Sequence, residues 1–234
     1  MNEKKRNAIY IFIAIVIIAI IGFFLIHIVE RQYDKRQYLK KVHEIEKTHI
    51  EFVDKVEKTD QLFGTDANKN GIRDDIERFI KQNLKDKSAI EVASLYIYLI
   101  EYTNAKYQLD KSEDSRKTIE KSLKMIQSIE DSIYHISSMN PNHFKELVEQ
   151  RPYLIDDFIL IRQILVKHKE EIFVNNPARK NAYENLIKAY PLEPSKPLHE
   201  LTKNEMQERL HTIIQVLTFA ENKVYIHWLD TVKK

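Results

Sequence analysis

No charged residue lies between Arg6 and Glu30, and the 21 residues from Ala8 to Ile28 are Ile, Ala, Val, Phe, Leu and Tyr broken only by Gly22 and His27. At 1.5 Å rise per residue such a run forms a helix about 31 Å long, the thickness of the hydrocarbon core of a bilayer. In lipid only a helix satisfies its own backbone within one segment. The run predicts a single transmembrane helix over 8–28 that stays attached: the apolar core of a cleaved signal peptide is about 7–15 residues and ends at a small-residue site. Phe23-Phe24-Leu25-Ile26-His27 offers no such site.

Orientation has two readings. Counting Arg31, Lys35, Arg36, Lys40 and Lys41 against Lys4, Lys5 and Arg6 places the C-terminal body on the cytoplasmic side. A very short basic tail before a long apolar core is the form of a signal anchor, which sends the C-terminal side out. We adopt the second: residues 1–7 cytoplasmic, the anchor in the cytoplasmic membrane, the body extracytoplasmic.

Glycine occurs three times in 234 residues and cysteine never. Hairpins and tight sheet turns draw on glycine, so an all-α body is expected. Without cysteine there is no disulfide framework, thiolate metal site or thiol nucleophile. The chain carries 37 basic and 35 acidic residues, which excludes the concentrated basic excess of a nucleic-acid-binding domain.

The body reads as a bundle of about six helices. Tyr38, Val42, Ile45, His49, Phe52 and Val56 recur at spacings of three and four, one apolar stripe on a helix. This predicts a juxtamembrane stalk over 29–63 that ends near Gly64 and offers a surface for a homodimer. Ser88 and Glu91 are spaced as a capping box. The run Ala93–Ile100 behind them is apolar almost all round, as a central buried helix is. Ile119, Leu123, Ile126, Ile129, Ile133 and Ile136 stripe a strongly amphipathic helix. Asn140-Pro141, Pro152 and Asn176-Pro177 open further helices, and Pro191, Pro194 and Pro197 mark an extended connection. Thr202 and Glu205 form a second capping box. Met206, Leu210, Ile213, Leu217, Ala220, Val224 and Trp228 then stripe a helix running nearly to the C-terminus. The expected bundle domain is 78–234.

One segment carries chemistry. Residues 66–77, inside an expected loop region 64–77, read Asp66-Ala-Asn68-Lys-Asn70-Gly71-Ile72-Arg73-Asp74-Asp75-Ile76-Glu77. They match the pattern D-x-[DN]-x-[DN]-G-x5-E at every specified position. Calcium takes six to eight oxygen ligands. Asp66, Asn68 and Asn70 would offer side-chain oxygens from alternate positions, Ile72 its carbonyl, Asp74 a direct or water-mediated oxygen, and Glu77 both carboxylate oxygens. Gly71 permits the sharp turn. The competing reading is a helix N-terminus with Asx turns and no metal.

The loop resembles EF-hand loops, and is closer to the lone Asp-x-Asn-x-Asn-Gly-x-Arg-Asp-Asp loops of uncharacterised bacterial extracytoplasmic proteins. The resemblance covers 12 residues, about 25 with the following helix through Leu84. It implies calcium as cofactor and a bacterial, non-cytoplasmic setting, and it implies no activity. Arg73 departs from the EF-hand pattern, which places an aliphatic residue there to pair with a partner loop. There is no second loop, and the four methionines do not cluster as in a sensor groove. A structural clip of extracellular-type affinity, about 10⁻⁴ to 10⁻³ M, is expected.

Catalytic patterns are absent from the sequence. The nine histidines form no H-E-x-x-H, and His43 and His49 do not share a helix face. Asp156-Asp157 reads as a cap or a solvated face, and Tyr96, Tyr98 and Tyr102 as core. The expected protein is a non-enzymatic, membrane-anchored domain that contacts another protein. A cytosol-facing adaptor whose loop binds no metal and a helical hydrolase with an unrecognised site remain as alternatives.

Overall fold

A computed structural model describes residues 3–57, 64–110, 112–138, 149–191 and 200–221; the side chains of 3–28 and of several positions in 203–221 lie outside the description. Among the described residues the protein is all-α, with about six substantial helices and no strand. The helices are α1 (Glu3–Lys55), α2 (Asp74–Asn83), α3 (Lys87–Leu109), α4 (Glu113–Ser137), α5 (Leu154–Leu160), α6 (Lys169–Phe173), α7 (Pro177–Ala189) and α8 (Lys203–Glu221), with a π-helical segment Ile161–Val166 between α5 and α6. The chain divides into two compact units, Met1–Glu44 and Ile45–Lys234.

The first unit is helix. Val29, Tyr33 and Leu39 are exposed on it, while Tyr38 and Val42 of the predicted stripe are half-buried. No helix among the described residues is long and apolar enough to cross a membrane. The apolar run 8–28 has helical backbone, but its side chains lie outside the description.

In the second unit α3 is the central element. Ala89, Val92, Ala93 and Leu95 to Ile100 are all buried, and α2, α4, α7 and α8 pack around it. A helix apolar all round has no face to give to water, so it takes the middle of the bundle. On α4 all six isoleucine and leucine positions of the stripe are buried, and small Ser115, Ser122 and Ser132 fill the gaps beside them. Each buried aliphatic side chain contributes about 1.5–3 kcal/mol of transfer free energy. The stretch 45–55 of α1 lays Phe52 on Phe79 of α2, ring centroids 4.0 Å apart.

Three expectations are corrected. Helix α1 ends at Lys55 rather than near Gly64. The N-cap of α3 is Asp86, whose side chain accepts from the Ala89 N–H at 3.1 Å; Ser88 is instead buried and receives Arg151. Asp86 wins because its carboxylate is fixed by Arg151. The helix after Pro152 starts at Leu154. It also widens: Lys167 donates to the Arg162 carbonyl five residues back, at 3.0 Å. The Thr202–Glu205 capping box forms in both directions, at 2.7 and 3.3 Å, and Asn176 caps α7 with Pro177 in its first turn. The predicted helix at Asn140-Pro141, most of the Pro191–Pro197 connection and the C-terminal helix beyond 221 lie outside the described residues.

Candidate metal centre

The loop preceding α2 is shaped by two residues in the left-handed region, Lys69 (φ 58°) and Gly71 (φ 83°). Gly71 is fixed twice over: besides its positive φ, a Cβ there would stand 2.5 Å from Cε2 of Tyr98 on α3. The loop base closes where the Asp74 N–H donates to the Thr65 carbonyl at 2.8 Å.

The predicted ligands gather around this turn. The Asp66 carboxylate accepts from the Asn70 and Gly71 N–H groups at 3.1 and 2.8 Å. Asn68 Oδ1 accepts from the Asn70 N–H at 3.0 Å, and Asn70 Oδ1 from the Ile72 N–H at 2.8 Å. The Asp74 carboxylate accepts from the Ala67 N–H at 3.3 Å. Glu77, in the first turn of α2, receives Asn68 Nδ2 on Oε2 at 3.0 Å and Asn70 Nδ2 on Oε1 at 2.9 Å. Ile72 turns its side chain into the core. The loop therefore brings Asp66, Asn68, Asn70 and Glu77 into one hydrogen-bonded web, with Asp74 at its edge.

Among the described residues, no three His, Cys, Asp or Glu side chains converge as a group able to hold a metal ion. The carboxylates are linked through backbone N–H groups and asparagine amides instead. The donor chemistry nevertheless fits a hard cation: every predicted ligand atom is oxygen. Fitting one requires the Asn68 and Asn70 amides to turn over, which takes each Oδ1 off the backbone N–H it accepts, that of Asn70 and of Ile72 respectively.

Behind the loop lies an arrangement the sequence reading missed. Arg73, singled out only as a departure from the EF-hand pattern, is among the largest fully buried side chains in the protein, 2% exposed. It pairs with Asp75 in a fork, Nη2 to Oδ2 at 2.7 Å and Nε to Oδ1 at 3.2 Å. Its Nη1 donates to the Ile172 carbonyl at 2.9 Å, and Nε lies 3.9 Å from Glu101 of α3. Gly64 makes room for it, since a Cβ there would lie 2.7 Å from Arg73 Cδ.

Glu57, just past α1, completes the junction. Its N–H donates to Asp75 Oδ2 at 2.8 Å, and its carboxylate accepts from the Thr65 N–H and hydroxyl at 3.1 and 3.0 Å. Its carbonyl accepts from Asn175 Nδ2 at 3.0 Å and from Arg179 Nη1 at 3.4 Å. Burial works to raise the Asp75 carboxyl, but the Arg73 guanidinium and the Glu57 and Ile76 N–H groups outweigh it and hold it below the ordinary carboxylate range. Burial pushes the Glu101 carboxyl up to about 7, against the pull of Arg73 and Arg179. The available signal was Glu101 itself, an acid set at the end of the most apolar stretch of the body.

A second polar cluster faces a small cleft among α3, α4, α6 and α7. Tyr96 and Lys169 both donate to Glu130 Oε1, at 2.8 and 2.9 Å, and Asn104 and Tyr183 line the same cleft. Burial holds the Tyr96 hydroxyl well above its usual range. Burial also acts to lower Lys169, and Glu130 and Tyr183 outweigh it and raise it. Both groups keep their protons at neutral pH, Tyr96 and Lys169 alike serving as donors to Glu130. Asp157, one of the paired acids, is neither a helix cap nor on a solvated face: it is buried and accepts the N–H groups of Lys85 and Asp86, in the turn between α2 and α3, at 2.7 and 2.6 Å.

Comparison of the chain with protein-family models, curated proteins and solved structures finds no match.

Proposed function

We propose that the protein is a single-pass membrane protein, anchored through 8–28 in a cytoplasmic membrane, whose extracytoplasmic helical body carries one structural calcium site and serves as a non-enzymatic interaction domain. The web joining Asp66, Asn68, Asn70 and Glu77 on a turn set by Gly71 carries this reading. Asp66, Asn68, Asn70, Ile72, Asp74 and Glu77 would hold the ion, which supplies charge neutralisation to the loop when bound. The chain's own part is positional. Arg73, rigidly paired with Asp75, joins the loop to the Ile172 carbonyl, and Glu57 joins the end of α1 to both. A clip at the loop therefore stabilises the union of α1 residues 45–55 with the bundle. Expected affinity is extracellular in type, which agrees with a body outside the cytoplasm.

One observation favours the rival reading, a cytosol-facing adaptor with a metal-free loop: the hydrogen-bonding groups of Glu77 already have partners within the chain. Calorimetric titration of the full-length protein in a mild nonionic detergent separates the two. Saturable millimolar-range calcium binding, lost in Glu77→Gln and Asp66→Ala, supports the clip. Absence of heat at 5–10 mM calcium, on the scale of the weakest extracellular modules, leaves the capped turn. A reporter fused at the C-terminus decides the side of the membrane.

A further inference from the structure

Resting on the reading of residues 8–28 as a membrane anchor, we propose that the stretch of α1 that follows it, residues 29–40, is a binding face for the anionic phospholipid headgroups of the membrane that holds the anchor.

Four cations carry the argument. Arg31, Lys35, Arg36 and Lys40 are all exposed on α1. With 3.6 residues per turn they fall within one half of the helix circumference. Glu30, Asp34 and Glu44 fall on the other half with Lys41 among them, and these four residues have partners within the protein. Among the described residues Arg31, Lys35, Arg36 and Lys40 form no ion pair. They stand instead as two like-charge pairs four residues apart, Arg31 with Lys35 and Arg36 with Lys40, and like charges at that spacing repel across one helical turn. What relieves the repulsion is negative charge from outside the helix.

Position selects the source of that charge. At 1.5 Å rise per residue Arg31 stands about 4.5 Å beyond Ile28, Lys35 and Arg36 about 10 and 12 Å, and Lys40 about 18 Å. The headgroup layer is about 5–7 Å thick on each side of the hydrocarbon core. Arg31 therefore lies inside it, and Lys35 and Arg36 lie within a Debye length, about 8 Å, of its outer edge. A surface of anionic lipid attracts juxtamembrane cations over that range. Val29, Tyr33 and Leu39 are exposed in the same stretch, and a tyrosine, apolar in its ring and polar at its tip, suits the headgroup level. A soluble acidic partner would have to reach these charges at the membrane surface, whereas the headgroups meet them as soon as the anchor is inserted.

The test reconstitutes the full-length protein in phosphatidylcholine vesicles containing a minor share of phosphatidylglycerol. Electron spin resonance of spin-labelled lipids then measures which of the two the protein holds. At about 20 mM salt the parent is expected to prefer phosphatidylglycerol about two- to fivefold, and the preference should shrink at about 1 M salt, where the Debye length is about 3 Å. The quadruple variant Arg31→Gln, Lys35→Gln, Arg36→Gln, Lys40→Gln should lose the preference. A control with the same change in net charge at exposed positions of the body, Lys117→Gln, Lys121→Gln, Lys124→Gln, Lys180→Gln, should keep it. Circular dichroism of both variants checks that the helices are intact. No preference in the parent, its survival in the first variant, or an equal loss in both overturns the lipid-binding face and leaves the anchor reading intact. A parent that fails to float with vesicles of phosphatidylcholine alone overturns the anchor and the proposal with it.

Discussion

Arg73 Nη1 donates a 2.9 Å hydrogen bond to the carbonyl of Ile172, 99 residues further along the chain. The same guanidinium is held at its other edge by Asp75. One side chain thus satisfies a charge beside the loop and a carbonyl at the end of α6. Replacing Arg73 by Met leaves Asp75 without its cation in a partly buried setting. A loss of about 3–5 kcal/mol is expected, read as a lower urea midpoint at unchanged slope. Arg73→Lys should recover only part of it, because an ammonium cannot form the fork.

Glu101 gives the stability a defined pH dependence. Its carboxyl is raised in the folded state to about 7 from an ordinary 4.5. The folded protein therefore binds more protons than the unfolded chain between those values. The contribution is fully present below about pH 4.5 and is lost as pH rises through about 7. A shift of that size corresponds to about 3 kcal/mol as an order of magnitude. Glu101→Gln, neutral throughout, should be more stable than the parent at pH 8, and the difference should close toward pH 5. Chemical denaturation of both proteins at pH 5, 6, 7 and 8 checks this, and a constant difference would refute it.

Gly71→Ala meets two penalties at once, a positive φ and the Tyr98 ring. The first costs about 1–2 kcal/mol and the overpacking about 1–3 kcal/mol. The measurement is a melting curve, with Gly64→Ala beside it. That variant displaces the Arg73 stem instead, and its effect should largely vanish in an Arg73→Ala background.

Ile129→Ala and Ile133→Ala remove fully buried side chains of α4 and should each cost about 2–5 kcal/mol. Leu109→Ala, at a side chain 75% exposed, should stay within about 0.5 kcal/mol. Denaturant titrations of the three variants rank them.

These positions also mark what a sequence discloses. The α4 stripe was legible because a 3.6-residue period forces Ile119, Ile126, Ile129 and Ile133 onto one side, and only burial rewards that. The turn was legible because the spacing of Asp66, Asn68, Asn70 and Gly71 is a local matter. The junction was not. Nothing local distinguishes Arg73 from a solvated arginine, since its worth lies in Ile172, Glu101 and Glu57, brought beside it only by the fold. Asp86 displaced Ser88 as the cap of α3 for the same reason: Arg151, 65 residues away, decides which oxygen is held in place.

Helix α2 has ten residues, too few to persist alone in water. It is kept by Ile76, Phe79 and Ile80 against the bundle, and the loop before it by partners at Ile172, Asn175 and Arg179 reached through Arg73 and Glu57. During synthesis the loop leaves the ribosome about a hundred residues before those partners do. Its final form must therefore wait until α6 and the start of α7 have emerged. Long-range closure of this kind is slow compared with helix formation, so the segment that carries the protein's recognisable chemistry is among the last to settle.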